Sequence, residues 1–170
     1  IDEGTAFTYI LSAFDIDSDD LSYNAASDSN MVVSLSGSEL TVTTVDVNFN
    51  GEVLMNVEVS NGEFTDNDNF VLTILPINDP PVLSDIDNQE IDEEGSLLYF
   101  IQTFDVDGDQ LNISAEIDTN YAAILLNGNL LTVNPIENFN GELIIQVEVS
   151  DGQFTVADDF ILIVNPVNDA

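Results

Sequence analysis

The chain repeats itself. "NFNGE" at 48–52 returns at 138–142, and "VEVSNG" at 57–62 returns as "VEVSDG" at 147–152. "LPIND" at 75–79 returns as "NPVND" at 165–169, and each of these offsets is 90 residues. Such a period restricts the fold more than any single motif, because both copies must be built from the same order of elements. It is long for one turn of a solenoid and suits a self-sufficient small domain. "GSELTV" (37–42) and "NGNLLTV" (127–133) match at 91 instead, so a one-residue slip is repaired before Phe49 and Phe139, in a turn that tolerates it. The period divides the chain into residues 1–79 and 80–170. The first copy lacks the ten residues that correspond to "PVLSDIDNQE" (81–90). The chain, which starts at Ile1 without Met, therefore reads as a window cut from a longer array.

Within each copy the hydrophobic period is that of strands. "LIIQVEV" (143–149) puts Leu143, Ile145, Val147 and Val149 on one face and Gln146 and Glu148 on the other, and "VLMNVEV" (53–59) does the same. "FILIV" (160–164), "FVLTI" (70–74), "SLLYFIQTF" (96–104), "QLNISAEI" (110–117), "YAAILL" (121–126) and "LLTV" (130–133) complete the set. "DGD", "NGN", "FNG" and "SDG" separate them as turns. No segment of helical length carries a helical period. About seven short strands per copy predict an all-β fold: two tandem seven-strand Greek-key β-sandwich domains, the first lacking its first strand. Phe49 and Phe139 are expected to plug the core beneath the "NFNG" turn.

Charge narrows the function. The 170 residues hold 33 Asp plus Glu and no Lys, Arg, His or Cys, for a formal charge of −33. With 44% hydrophobic residues the chain is nonetheless able to build a core. No side chain can neutralise a carboxylate, so relief must come from dissolved cations, most effectively divalent ones held by several carboxylates. An imidazole base, a thiol nucleophile, a disulfide and a Cys/His zinc site are all excluded. So is a basic patch for nucleic acid or anionic lipid. The absence of Lys removes a Schiff base or Lys–Asn isopeptide crosslink, and the absence of Trp the best sugar-stacking ring. No apolar run approaches membrane-spanning length and no signal peptide is recognisable, so neither membrane insertion nor catalysis is expected.

The remaining signal is "FDVDGDQL" (104–111), preceded by "FDIDSDDL" (14–21). Acids at every second position admit four readings. An EF-hand loop would start at Asp105 and end at Glu116, but its sixth position is Gln110 rather than Gly, its flanks read as strands, and in the first copy position twelve is Ala26. A glycosidase-like carboxylate pair has nothing around it that suggests a cleft. A solvated hairpin tip needs no ligand at all. The fourth reading is a composite site. In a seven-strand sandwich the turn between strands two and three lies at the same end as the turn between strands six and seven. "FDVDGD", "SDG" with Asp151, and the entering linker "PINDPP" should then converge at one pole.

These motifs resemble the cadherin repeat, in the compact form of the cadherin-like tandem repeats of bacterial extracellular adhesins. The matching features are an early Glu, an acid before the sixth strand, an Asn-Asp linker followed by Pro, an Asp-x-Asp turn and a later Asp. In that family Ca²⁺ sits between successive domains. The resemblance implies metal ligands at Glu3, Asp46, Asn78, Asp79, Asp105, Asp107 and Asp151. Asp15, Asp17, Glu93, Glu137, Asn168 and Asp169 take the equivalent positions for the neighbouring junctions. Asn61 stands where the second copy has Asp151, which leaves the first unit's pole one charge poorer, and "INDP" lacks the family's leading Asp. Six carboxylates among the first set would be balanced by about two or three Ca²⁺, and Mg²⁺ suits them less because it dehydrates reluctantly.

The resemblance thus implies a calcium-rigidified extracellular repeat of a long surface adhesin, stalk or filament. Its partners would be neighbouring repeats or further copies head to tail, with surface glycans as adhesion targets. The rival reading is a carbohydrate- or surface-binding accessory module of a secreted multidomain protein, which asks for an exposed aromatic platform.

Overall fold

The structure, a computed structural model, describes residues 1–117 and 120–168. It is all-β, and among the described residues no helix is long and apolar enough to cross a membrane. The chain forms two compact units, Ile1–Ile77 and Asn78–Ala170.

The second unit shows the architecture most fully. Strands β7 (Val82–Leu83), β8 (Gln89–Asp92), β9 (Leu97–Phe100), β10 (Thr103–Phe104), β11 (Asn112–Ile117), β12 (Ala122–Asn127), β13 (Leu130–Pro135), β14 (Gly141–Ser150) and β15 (Thr155–Asn165) follow in order. One sheet has the order β11-β14-β15-β8 and the other β12-β13-β9, while β7 pairs with β10. The successive strands β8 and β9, β11 and β12, and β13 and β14 fall in different sheets, the crossing pattern of a Greek key. The entering strand β8 runs parallel to the last strand β15, with Gln89 opposite Leu162 and Asp92 opposite Asn165. Alternation puts Leu143, Ile145, Val147 and Val149 of β14 inward against Phe160, Leu162 and Val164 of β15, and Leu131 and Val133 face them from the other sheet. "SLLYFIQTF" is not one strand. It breaks between β9 and β10, where the Ile101 amide turns to the Asn129 carbonyl and the Ile101 side chain becomes fully buried.

The first unit repeats the plan with β1 (Phe7–Ile10), β2 (Ser22–Ala26), β3 (Met31–Ser36), β4 (Glu39–Thr44), β5 (Gly51–Ser60) and β6 (Thr65–Ile74). Its sheets are β1-β4-β3 and β2-β5-β6. At the place of Asp92 and Asn165 it has a parallel bridge between Asp2 and Leu75. No counterpart of β7 or β10 forms among its described residues. Leu40, Val42, Val53, Met55 and Ile74 make its fully buried centre.

The repeated "NFNGE" has a structural cause in both units. Phe49 and Phe139 pack against the two cores beneath the turn. Gly51 and Gly141 adopt φ of 136° and 137°, open to glycine alone, and an added Cβ would sit 3.9 and 3.6 Å from those rings. The one-residue slip falls in the preceding turn. Val45 and Ile136 donate equivalently, to the Asn30 and Tyr121 carbonyls, whereas the Phe49 amide is taken by Asp46 and the Phe139 amide by Ile136 itself. Asp46 and Glu137 thus both follow the paired residue, but only Asp46 closes the turn with its carbonyl.

Candidate metal centre

The acidic pole of the second unit is built by three short segments. After β10 the chain turns at Asp105, whose Oδ1 accepts the amides of Asp107 at 3.0 Å and Asp109 at 3.1 Å. Gly108 permits this turn with φ of 78°, and Ser18 takes the same strained conformation in the first unit. Between β14 and β15, Asp151 Oδ1 accepts the amides of Gln153 and Phe154, both at 2.6 Å. The linker joins the two turns. Asn78 Nδ2 donates to Asp151 Oδ2 at 2.8 Å, and the Asp79 amide donates to Asp107 Oδ2 at 2.8 Å. "FDVDGD", "SDG" and the linker residues Asn78 and Asp79 therefore meet within the second unit.

Asp105 is buried, 8% exposed, and its Oδ2 has no hydrogen-bond partner. A buried carboxylate oxygen with no donor is costly, because its hydration is lost and nothing replaces it. Burial pushes the Asp151 carboxyl up, but the Phe154 amide, the Asn78 carboxamide and the Gln153 amide together hold it below the ordinary carboxylate value. The donor set around Asp105 is oxygen only, carboxylates and a carboxamide, which fits a hard cation such as Ca²⁺ and no soft metal.

The same turn in the first unit is satisfied differently. Asp15 Oδ1 accepts the amides of Asp17 at 2.8 Å and Asp19 at 3.2 Å, and Asn61 Nδ2 donates to Asp15 Oδ2 at 3.0 Å. The Asp19 amide, then Asn61 and the Asp17 amide, hold the Asp15 carboxyl below its ordinary value. Asn61 sits in the hairpin as Asp151 does, its Oδ1 accepting the Glu63 and Phe64 amides at 3.0 and 2.8 Å. A carboxamide in the first hairpin against a carboxylate in the second is what separates a satisfied Asp15 from an orphaned Asp105.

The other expected ligands have local duties. Glu3 is buried, accepting the Ile77 amide at 2.6 Å and Asn50 Nδ2 at 3.2 Å. Glu93 is buried likewise, accepting the Val167 amide at 2.5 Å and Asn140 Nδ2 at 3.4 Å. Each Glu ties its unit's exit segment to the "NFNG" turn. Asn50 and Asn140 escaped the sequence reading, although their fixed distance from the early Glu in both copies was the signal available. Asp46 is exposed and its Oδ1 accepts the Asn48 amide at 3.1 Å. Asp17, Asp107, Glu137 and Asn168 are exposed, and Asp169 lies outside the described residues.

The fold is that of an immunoglobulin-like β-sandwich protein. The chain belongs to the bacterial Ig domain family, whose model, described as "Bacterial Ig domain", matches residues 78–163. Among solved structures it is similar to human protocadherin-24 EC1-2 at 14% identity and a TM-score of 0.56, covering 95% of this chain and 88% of that one. A second structure of the same human protein gives 16% identity and a TM-score of 0.51 over the same shares, 95% and 88%. Likenesses of this identity concern the fold alone. The endo-fucoidan hydrolase MfFcnA4 from glycoside hydrolase family 107 aligns at 16% identity with a TM-score of 0.45, covering 96% of this chain. The chain spans only 27% of that enzyme, and so remote a likeness carries no argument. No curated protein sequence matches the chain.

Proposed function

We propose that the chain is a non-catalytic, Ca²⁺-binding repeat module of an extracellular adhesin, stalk or filament, of the cadherin-like kind found in bacteria. The observation that supports this most is the buried, unpartnered Oδ2 of Asp105 beside the linker-bound carboxylates of Asp107 and Asp151. A chain without Lys or Arg has no internal cation to offer that oxygen. Asp105, Asp107 and Asp151 would hold the ion, with Asn78 and Asp79 of the linker completing its surroundings. Glu3 and Asp46 enter the ligand set from the preceding repeat on the family resemblance. When bound, Ca²⁺ supplies fixed positive charge to an otherwise wholly acidic pole. The role is then spacing and stiffness, with head-to-tail neighbours as partners.

Thermal unfolding tests the reading. An ion bound only by the folded protein raises the melting temperature by mass action. EDTA should lower it, and Ca²⁺ should restore it better than Mg²⁺ at matched ionic strength. Identical behaviour in EDTA and in NaCl of equal ionic strength would overturn it.

A further inference from the structure

The outer face of one sheet of the second unit is apolar and uncharged. In β12-β13-β9 it presents Leu98 and Phe100 on β9, Leu130 on β13 and Leu125 on β12, between 39% and 66% exposed. The four are contiguous. Leu130 stands opposite Phe100, and Thr132 stands between Leu98 and Leu125. None of the strand residues of this sheet is Asp or Glu. Each of the other three sandwich sheets exposes carboxylates: Glu39 in β1-β4-β3, Glu52 and Glu58 in β2-β5-β6, and Glu142 and Glu148 in β11-β14-β15-β8.

The fold does not require such a face. At the equivalent places the first unit carries Thr8, Ile10, Ser34 and Glu39. The side chains beneath are alike, with Leu40 and Val42 fully buried in one unit and Leu131 and Val133 in the other. The two copies therefore keep one core and differ on its outer side. Scattered surface leucines are ordinary, but a contiguous patch marks an interaction site.

We propose that this face is a contact surface for a second copy of the same chain, the two sheets packing face to face about a two-fold axis. Charge selects the occupant. A cationic partner finds no counter-charge here and is drawn to the faces that carry carboxylates. Two copies of a chain of charge −33 repel wherever carboxylate meets carboxylate, and this sheet lets them approach without that opposition. A two-fold contact sets one patch against itself, and an uncharged apolar patch is complementary to itself. Four side chains of this size present on the order of 400 Å² of apolar surface, about half of what each partner buries in a standard interface. The contact is therefore weak and reversible, and it joins chains side by side rather than end to end. It does not involve the acidic pole and does not depend on the cation reading.

Sedimentation of the whole chain up to about millimolar concentration, in about 0.02 M and about 0.5 M NaCl, tests this. We expect a reversible dimer, tighter by about tenfold or more at the higher salt, because screening removes the repulsion between copies. A mixture of isotope-labelled and unlabelled chains should give intermolecular NMR contacts at Leu98, Phe100, Leu125 and Leu130. Leu125→Asp on β12 and Leu98→Asp on β9 should each weaken the dimer about tenfold or more by placing a carboxylate in the contact. Both positions are exposed, so the melting temperature of each variant should stay near wild type. Ile10→Asp, on the matching face of the first unit, should leave the dimer unchanged. The proposal is overturned if the chain stays monomeric at the higher salt, or if both Asp variants of this face dimerise as well as wild type. It is also overturned if Ile10→Asp weakens the dimer equally, or if the intermolecular contacts map to the free edge of β12 or to another face. Each arm run in Ca²⁺ and in EDTA at matched ionic strength should give the same dimer, which keeps the result distinct from cation binding at the pole.

Discussion

Asn61 Nδ2 donates to Asp15 Oδ2 at 3.0 Å, and that bond closes the acidic turn of the first unit without help from any ion. In the second unit the same hairpin position is Asp151, which has no proton to donate, and Asp105 Oδ2 remains without a partner. One residue type therefore sets whether the carboxylate at the head of the acidic turn finds a donor in its own hairpin.

Exchanging the two residues should exchange the behaviour. Asp151→Asn should give Asp105 its missing donor at the cost of the bond from Asn78 Nδ2 to Asp151 Oδ2, so that stability in EDTA changes by less than about 1 kcal/mol, and should weaken Ca²⁺ binding by about tenfold or more through loss of a ligand charge. Asn61→Asp should lower the stability of the first unit in EDTA by about 1 kcal/mol. Chemical denaturation with and without Ca²⁺ reads both, and equal Ca²⁺ responses in wild type and Asp151→Asn would contradict the assignment.

Asp107 and Asp109 are both exposed, but only Asp107 accepts the linker amide, at 2.8 Å from Asp79. Asp107→Ala should therefore lower both Ca²⁺ affinity, by about tenfold, and the hydrogen-exchange protection of the Asp79 amide. Asp109→Ala should leave both near wild type. Calorimetric titration beside amide exchange distinguishes them.

Asp15 and Asp151 are both held below the ordinary carboxylate value, which is about 3.9 for Asp. A depressed folded-state pKa contributes stability above the unfolded value, and that contribution is lost as pH falls through the folded one. Stability should thus decline below about pH 4 as these two groups protonate. Carboxyl NMR titration should show both midpoints below the ordinary value. Asn61→Ala should move Asp15 upward and leave Asp151 in place, and a common movement of both would refute the local cause.

Gly141→Ala places a Cβ 3.6 Å from the Phe139 ring at φ of 137°. The strain should cost about 1–3 kcal/mol, measured by urea unfolding of the second unit. Full wild-type stability would mean that the turn relaxes without Phe139 holding it.

The long hairpins were legible in the sequence because they are local. β14 and β15, and β5 and β6, pair across a few turn residues, and alternation alone sets which face they bury. The division of "SLLYFIQTF" was not legible, since it depends on Ile101 meeting Asn129, a pairing across the sandwich that no period encodes. "PVLSDIDNQE" was expected to supply a strand, but Ile86 sits between two acids, and only its neighbours in space make it core. At the acidic pole, spacing announced Asp105, Asp107 and Asp151 as a group. The role of Asn61 was hidden because Asn and Asp satisfy the hairpin amides alike, and they differ only in whether the second side-chain atom can give a proton.

The parallel pairing of β8 with β15 has a consequence for force. The chain enters the second unit along Gln89–Asp92 and leaves along Leu162–Asn165, side by side and pointing the same way. Pulling the two ends apart slides these strands past each other, so their hydrogen bonds are loaded together in shear rather than peeled one at a time. In the first unit the same parallel geometry is seen at Asp2 and Leu75, with the Leu75 amide donating to the Ile1 carbonyl and the Glu3 amide to the Leu75 carbonyl.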